Sequence, residues 1–467
     1  MYACIIVGAG PAGIFCAYEL IKKNNKLKVL LIDKGHDIYH RNCPILDGKL
    51  QKCPVNKRGV SGCYPACSIT SGFGGAGAYS DGKFNITEEF GGWLTDYLPS
   101  ETVSELINYV DSINLEHGAT HTITDPTTPA VKIIERKALA VGLKLLRAKV
   151  RHLGTEQNLN IMKSIFDYLK DKIDMMFKKD ATDIIVESDK IVGVVVENNQ
   201  QILSKNVMIA AGREGSIWLS SLCKKYGIEM ANNQVDIGVR VETNNIIMDE
   251  INEHLYEGKF VYNASVNTIV RTFCSNPSGH VVIENYNGTV LANGHAYHDP
   301  NLGSENTNFA LLVSHVFKEP YDNPNEYGHV IGRIANKLSL GSVIVQRYGD
   351  LKSGKRSSEA KIKKGFVKPT LDKAVPGDLG LVLPYNTLKS IIEMIEALDH
   401  ITPGIANEHT LLYGVETKFY SARPKTNNFF ETRIGGLFVA GDGAGLTRGL
   451  AQAGANGVWI ARHILSK

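Results

Sequence analysis

Residues 3–13 read Ala3-Cys4-Ile5-Ile6-Val7-Gly8-Ala9-Gly10-Pro11-Ala12-Gly13, a short β-rich apolar run that passes straight into a glycine turn. Ile14 to Lys23 then places Ile14, Ala17, Tyr18 and Ile21 at helical spacing, and Leu27 to Ile32 is a second apolar strand ending in Asp33. Strand, glycine turn, helix, strand and acid stand in the order that a dinucleotide-binding βαβ unit requires. In such a unit Gly8 permits the tight turn, Gly10 lets the backbone approach a pyrophosphate, and Gly13 lets helix and strand pack closely. Pro11 and Ala12 open the helix, whose unpaired N–H groups and dipole face the phosphates. Asp33, with Lys34 beside it, is expected at the adenosine ribose, and an acid there disfavours the 2′-phosphate of NADP.

Composition sets wider bounds. The chain has 467 residues, a length that suggests about two or three domains. With 43% hydrophobic and 21% charged residues it is neither disordered nor fibrous. Gly is in excess, 45 residues against a typical ~7%, and the excess marks tight turns and close approaches of backbone to ligand. Formal charge is +3, from 51 basic and 48 acidic side chains. That near balance supplies no electrostatic argument for nucleic acid or an anionic membrane, and no nucleic-acid partner is expected. No apolar run of about 18 residues is present, so no membrane span is expected. The start of the chain lacks the features of a signal peptide, and a cytoplasmic location is expected. The eight Cys then favour free thiols, a metal site or redox chemistry over a disulfide framework.

The far end carries a second nucleotide signal. Ile434 to Gly445 contains an apolar strand that ends in Gly441-Asp442-Gly443, and Gly449-Leu450-Ala451-Gln452-Ala453-Gly454 opens a helix to about Leu465. Val207-Met208-Ile209-Ala210-Ala211-Gly212 reads as a further strand and turn. Together these resemble the two-dinucleotide-binding-domain flavoprotein superfamily. That resemblance implies non-covalent FAD: Asp442 on its ribityl chain, the following helix aimed at the flavin's pyrimidine carbonyls, and Ala211-Gly212 at the crossover strand. Ser71-Gly72-Phe73-Gly74-Gly75-Ala76-Gly77-Ala78-Tyr79-Ser80-Asp81-Gly82-Lys83 is similar to the signature of a bacterial family of FAD-dependent dehydrogenases. Further similar segments are 151–155, Asp236 to Glu242, Thr289 to Gly294, Val367-Lys368-Pro369 and Gly414 to Thr417. One departure is Lys418-Phe419-Tyr420-Ser421-Ala422-Arg423-Pro424, where that family implies a small Ser-Ser-Pro stretch approaching the flavin.

The expected fold is α/β, a Rossmann-like FAD-binding domain with an inserted α+β substrate domain. The FAD-binding domain is assembled from 1–87, 145–240 and 425–467, with a helical insertion at 88–144 and a substrate domain at 241–424. Glu101 to Leu115, Val131 to Ala148 and Thr387 to Leu398 show helical periodicity, Asp183 to Gly212 reads as a strand meander, and 293–308 reads as a loop. No second strand–GxGxxG–helix–acid unit occurs. Either the substrate itself reduces the flavin, or NAD(P)H docks transiently as reductant.

Flavin chemistry leaves the protein to supply orientation, electrostatics and a proton donor or acceptor. The stretch 72–83, with Gly74, Gly75, Ser80 and Lys83, is expected close to the ring. Lys83 or Arg448 would place positive charge near the flavin N1–C2 edge. His152, beside Arg151, is a candidate acid or base, the role for which histidine is the usual side chain. Tyr420 and Arg423 would orient a carboxylate substrate. Cys43, Cys53, Cys63 and Cys67 fit neither a zinc nor an iron–sulfur spacing, so packed thiols and no metal are expected. The function expected is hydride transfer between flavin N5 and a small organic substrate. The alternatives are an NAD(P)H-dependent flavin monooxygenase and a FAD-containing RNA-modification or electron-relay protein.

Overall fold

Cys4–Val7 is fully buried along its length, as a central parallel strand must be when both its faces are covered. The computed structural model describes all residues except 45–46, 51–62, 64–65, 81, 256, 287, 298–299 and 319–322. The chain divides into two units.

The first unit comprises Met1–Thr124, Ala148–Ala231 and Ser421–Lys467. Its elements include β1 (Cys4–Val7), α1 (Pro11–Lys23), β2 (Val29–Asp33), α2 (Ser100–Glu116), α3 (Gly154–Leu169), β3 (Asp174–Phe177), β4 (Val207–Ile209), β5 (Leu437–Val439) and α4 (Leu450–Ser466). The strands form one parallel sheet in the order β5-β4-β1-β2-β3. The chain leaves β1 towards β2 on one side and later returns through β4 on the other, so the order reverses at β1. In open parallel sheets ligands bind at the carboxyl ends of the strands at such a switch point. Ile5, Ile6, Leu30 and Leu31 have no exposed surface, each burial contributing roughly 1.5–3 kcal/mol. A three-stranded antiparallel meander, Ala181–Glu187, Lys190–Val196 and Gln200–Leu203, precedes β4.

Helices α1 and α4 cross where side chains vanish. A Cβ on Gly457 would lie 2.0 Å from the Ala12 carbonyl oxygen. Beside this crossing Glu19 is wholly buried, accepting from Arg462 Nε at 2.8 Å and Tyr109 Oη at 2.5 Å, so one carboxylate joins α1, α2 and α4.

The second unit comprises Asp125–Arg147 and Asn232–Tyr420. Its eight-stranded sheet has Val235–Asn244 between Leu411–Lys418 and Asn306–His315, both antiparallel to it. Val235, Ile237, Val239 and Val241 share an apolar core with Ile391, Met394 and Ile395 of helix Tyr385–Asp399. The alternate residues Asp236, Arg240 and Glu242 are equally buried, on the sheet's other face. There Arg240 pairs with Glu416 at 2.9 Å with neither side chain exposed, and Lys418 reaches Glu416 at 3.0 Å. Arg240 also donates to the Cys274 carbonyl at 2.8 Å and to Asn293 Oδ1 at 3.1 Å.

Several expectations from the sequence are redrawn. The stretch 88–144 is divided, α2 in the first unit and helix Pro129–Ala140 in the second. That helix stops at Ala140 rather than Ala148, because Gly142 takes φ +77° and Leu143–Leu145 then pairs with Phe260–Asn263. The stretch 293–308 is strand at both ends, within Thr289–His295 and Asn306–His315. Helix Pro324–Leu338, unseen in the sequence, starts with Asn323 capping the Glu326 amide at 3.1 Å and Pro at its first position, a readable start signal.

Candidate cofactor site

The turns that follow β1, β4 and β5 meet at the carboxyl ends of those strands, packed backbone against backbone. Gly8 has φ +110°, and a Cβ there would sit 2.2 Å from the Ala210 carbonyl oxygen. A Cβ on Gly443 would sit 2.2 Å from the Gly212 carbonyl oxygen. The Gly-rich segment joins them: the Gly74 amide donates to the Ala9 carbonyl at 2.8 Å, and a Cβ on Gly75 would lie 3.0 Å from Gly10 Cα. By contrast, a Cβ on Gly10 or Gly212 would meet no described atom within 4 Å. Packing requires Gly8 and Gly443; at Gly10 and Gly212 the backbone borders open space.

Two helices begin here without a side-chain cap and without an acid in the first turn, α1 behind Gly10 and α4 behind Gly449. The Ile14 amide is the first of α1 to close onto the helix, donating to Gly10 O, and in α4 it is Ala453, donating to Gly449 O. The amides before them make no bond within the helix, and helix starts of this kind are suited to an anion or a carbonyl.

Two acids flank the turns. Asp33 accepts from the Ala9 amide at 2.8 Å and the Gly35 amide at 2.7 Å, one on each oxygen. A carboxylate has about four acceptor sites, so each oxygen keeps capacity for a ligand hydroxyl. Asp442 accepts from the Thr447 hydroxyl at 2.8 Å. Burial pushes its carboxyl above the ordinary aspartate range, while Arg213, the Thr447 hydroxyl and Arg448 pull it back. Near α4's start, Gln452 Oε1 and Asn456 Nδ2 are buried with no hydrogen-bond partner among the described residues. Open space at Gly10 and Gly212, uncapped helix starts, acceptors at both ends and these orphaned polar atoms fit a dinucleotide cofactor.

Comparison with known proteins identifies its class. Residues 6–40 match the NAD(P)-binding Rossmann-like domain family, and residues 234–419 match the family described as FAD-dependent protein, C-terminal domain-like. The chain is an FAD-dependent oxidoreductase. An uncharacterised protein of Clostridium beijerinckii is 26% identical over 490 residues, covering 99% of this chain and 80% of the relative. Among solved structures, pyridoxine 4-oxidase from Mesorbium loti is 12% identical, with 99% of each chain covered and a TM-score of 0.44. Glycine oxidase from Geobacillus kaustophilus is 12% identical, covering 100% of this chain and 95% of that one, with a TM-score of 0.39. At these TM-scores neither likeness bears on what this oxidoreductase acts on.

The remaining expected residues of the oxidoreductase fall into several groups. Lys34 is held by Glu214 at 2.8 Å, and the second Glu214 oxygen accepts from Ser71 at 2.6 Å and Thr70 at 3.1 Å. Burial raises the Glu214 pKa, but Lys34 and the two hydroxyls outweigh it and hold the carboxyl below the ordinary range. Ser80 closes its own turn, donating to Gly77 O at 2.7 Å. Gly454 serves helix packing: a Cβ there would strike Val110 at 2.8 Å and Phe15 at 2.9 Å. Ala211 and Gly212 lie in the turn after β4, and Pro11, Ala12 and Gly13 in the first turn of α1. Gln452 donates to Phe90 O at 3.1 Å, and Ala453 is buried beside it.

Among the catalytic candidates, Arg448 stands next to α4's start, its amide donating to Gly91 O at 2.9 Å. Lys83 and His152 face each other across the strand pair Lys83–Ile86 and Lys149–His152, with His152 exposed. Arg151 is a structural residue, bidentate to Asp111 at 2.8 and 2.7 Å. Tyr420, in the second unit, donates to Asp236, a wholly buried internal carboxylate. Arg423, in the first unit, pairs with Asp96 at 2.8 Å over the Trp93 ring. Cys43 and Cys67 are free thiols, and Cys53 lies outside the described residues. No group of three or more His, Cys, Asp or Glu among the described residues is arranged to hold a metal ion. Likewise, no described helix is long and apolar enough to cross a membrane.

Sequence reasoning missed Arg41, which is buried and donates to the carbonyls of Ser68, Phe73 and Ile69 at 2.9, 2.6 and 2.8 Å. It thereby shapes the loop leading into Gly74. It also missed Asn456, whose Oδ1 accepts from the Gly441 amide at 3.0 Å. No local motif marks either residue, since each acts on a segment remote in sequence or on backbone.

Proposed function

We propose that the chain oxidises or reduces a small organic molecule, with non-covalent FAD carrying the hydride at N5. The observation that carries this reading is that two uncapped, acid-free helix starts bracket one cluster of glycine turns. In this reading the amides of Ala12 and Gly13 bind the pyrophosphate, and Asp33 binds the adenosine ribose. Asp442 and the Gly441 turn hold the ribityl chain. The first amides of α4 face the pyrimidine carbonyls, with Arg448 adding positive charge nearby. Cofactor binding then belongs to the first unit and substrate recognition to the second.

The test is to denature the purified protein, identify the released flavin, and then follow anaerobic bleaching with NADH, NADPH and a panel of small amines, alcohols and hydroxy acids. FAD bleached by a member of the panel is the expected result. FMN, or a chain that stays colourless after incubation with FAD, would overturn the reading.

A further inference from the structure

We propose that residues 352–373 dock this protein onto an anionic lipid surface. The segment holds eight basic side chains, Lys352, Lys355, Arg356, Lys361, Lys363, Lys364, Lys368 and Lys373, against two acids, Glu359 and Asp372. Its net charge is +6 in a chain whose total is +3, so all the rest carries −3. All eight are exposed. Neighbouring acids neutralise only part of the excess. Lys352 pairs with Glu396 at 2.7 Å, Lys361 with Asp350 at 2.7 Å, and Lys363 with Glu359 within the segment at 2.6 Å. Glu408 nearby is already matched by Arg347 at 2.8 Å. Lys355, Arg356, Lys364 and Lys373 have no ion-pair partner among the described residues.

The segment is held in shape. Lys368 Nζ donates to the carbonyls of Lys363 and Gly365 at 3.0 and 2.9 Å, closing a loop whose tip is Phe366. Phe366 is 78% exposed, its ring edge-on to His409 at 4.6 Å. Arg356 donates to Pro376 O at 3.3 Å, and just beyond Pro376 Leu381 and Tyr385 are 68% and 71% exposed. Clustered cations around bare apolar side chains supply the two signals that peripheral membrane attachment needs, attraction to anionic headgroups and shallow insertion. Seven of the eight cations are Lys, point charges without the planar fork that Arg offers to nucleic-acid phosphates and bases. A single exposed Phe is no stacking ladder for successive bases. These features favour lipid over RNA.

The test is co-sedimentation of the FAD-loaded protein with phosphatidylcholine vesicles, with and without phosphatidylglycerol, over a salt series, and with polyuridylate as competitor. Binding is expected only with phosphatidylglycerol, weakening as salt rises. Lys355→Gln/Lys364→Gln/Lys373→Gln should weaken it roughly a hundredfold, about fivefold per cation. Phe366→Ser should weaken it about tenfold. Flavin content equal to that of the unaltered protein shows that the variants fold. Equal binding to both vesicle types, no binding to either, a triple variant that binds like the original, or capture by polyuridylate with vesicles ignored would each overturn the proposal.

Discussion

Gly10 and Gly13 stand three residues apart in one turn, and alanine at each should fail in opposite ways. At Gly13 a Cβ would lie 2.0 Å from the Gly8 carbonyl oxygen, a backbone atom with no freedom to retreat. Overpacking of this kind costs about 1–3 kcal/mol or more, so Gly13→Ala should lose stability with or without cofactor. At Gly10 the backbone sits at φ −79° and ψ −179°, open to any L-residue, and a Cβ would meet no described atom within 4 Å. Gly10→Ala should leave the cofactor-free protein as stable as the original, or more stable by about 0.4–1 kcal/mol, because it narrows the unfolded ensemble. The same methyl would stand where a pyrophosphate passes. At about 1–3 kcal/mol of crowding, FAD affinity should drop roughly five- to a hundredfold. Urea titration of deflavinated protein reads the first quantity and quenching of flavin fluorescence the second. Undiminished FAD binding by Gly10→Ala would refute the placement of the cofactor along this turn. A stability loss in Gly10→Ala equal to that in Gly13→Ala would refute the claim that the fold alone does not need Gly10.

Asp442→Ala should weaken FAD by about ten- to a hundredfold, from a hydrogen bond to a charged group of about 1.5–3 kcal/mol, and should lower turnover even at saturating FAD; full turnover at saturation would place Asp442 away from the ring. Glu416→Gln leaves Arg240 buried without its carboxylate and should cost about 3–5 kcal/mol in urea unfolding, and a change below about 1 kcal/mol would show that the pair is dispensable. Burial holds His315 and His117 below the ordinary histidine pKa, in His315 against the pull of Asp236. The unfolded chain therefore takes up protons below about pH 6.5 that the folded chain refuses, so this stability is present above that pH and lost as pH falls towards the folded values. Melting temperature should fall from about pH 7.5 to about 5.5, and His315→Asn should flatten the fall; a melting temperature that rises on acidification would contradict the assignment.

The nucleotide unit was legible because its signals are local. Residues 3–33 and 434–457 carry turn, helix start and acid within spans that covalent spacing alone constrains. Side-chain partners were not legible, because they are chosen across the chain. Tyr420 reads as a substrate ligand until it meets Asp236, 184 positions earlier. Lys34 reads as a cofactor residue until Glu214 takes its charge. Helical periodicity marks α2 and Pro129–Ala140 alike but does not say that they join different units. The near-neutral total charge hid the +6 of residues 352–373, since an average over 467 positions erases a cluster of 22.

The parallel sheet of the first unit is closed by a strand made very late. β5 pairs with β4 through Val207↔Leu437, a separation of 230 residues, and the second unit's residues 232–420 are synthesised between the two. While the ribosome is still translating that insertion, β4 presents an open hydrogen-bonding edge, and neither Asp442 nor α4 yet exists. The pyrophosphate and ribose contacts proposed for Ala12, Gly13 and Asp33 are thus available from the start of synthesis, whereas those proposed for the ribityl chain and the flavin ring come only with the last strand and helix. Contacts this distant in sequence fold slowly, and a nascent β4 edge left open is a point where the newborn chain needs shielding from other strands.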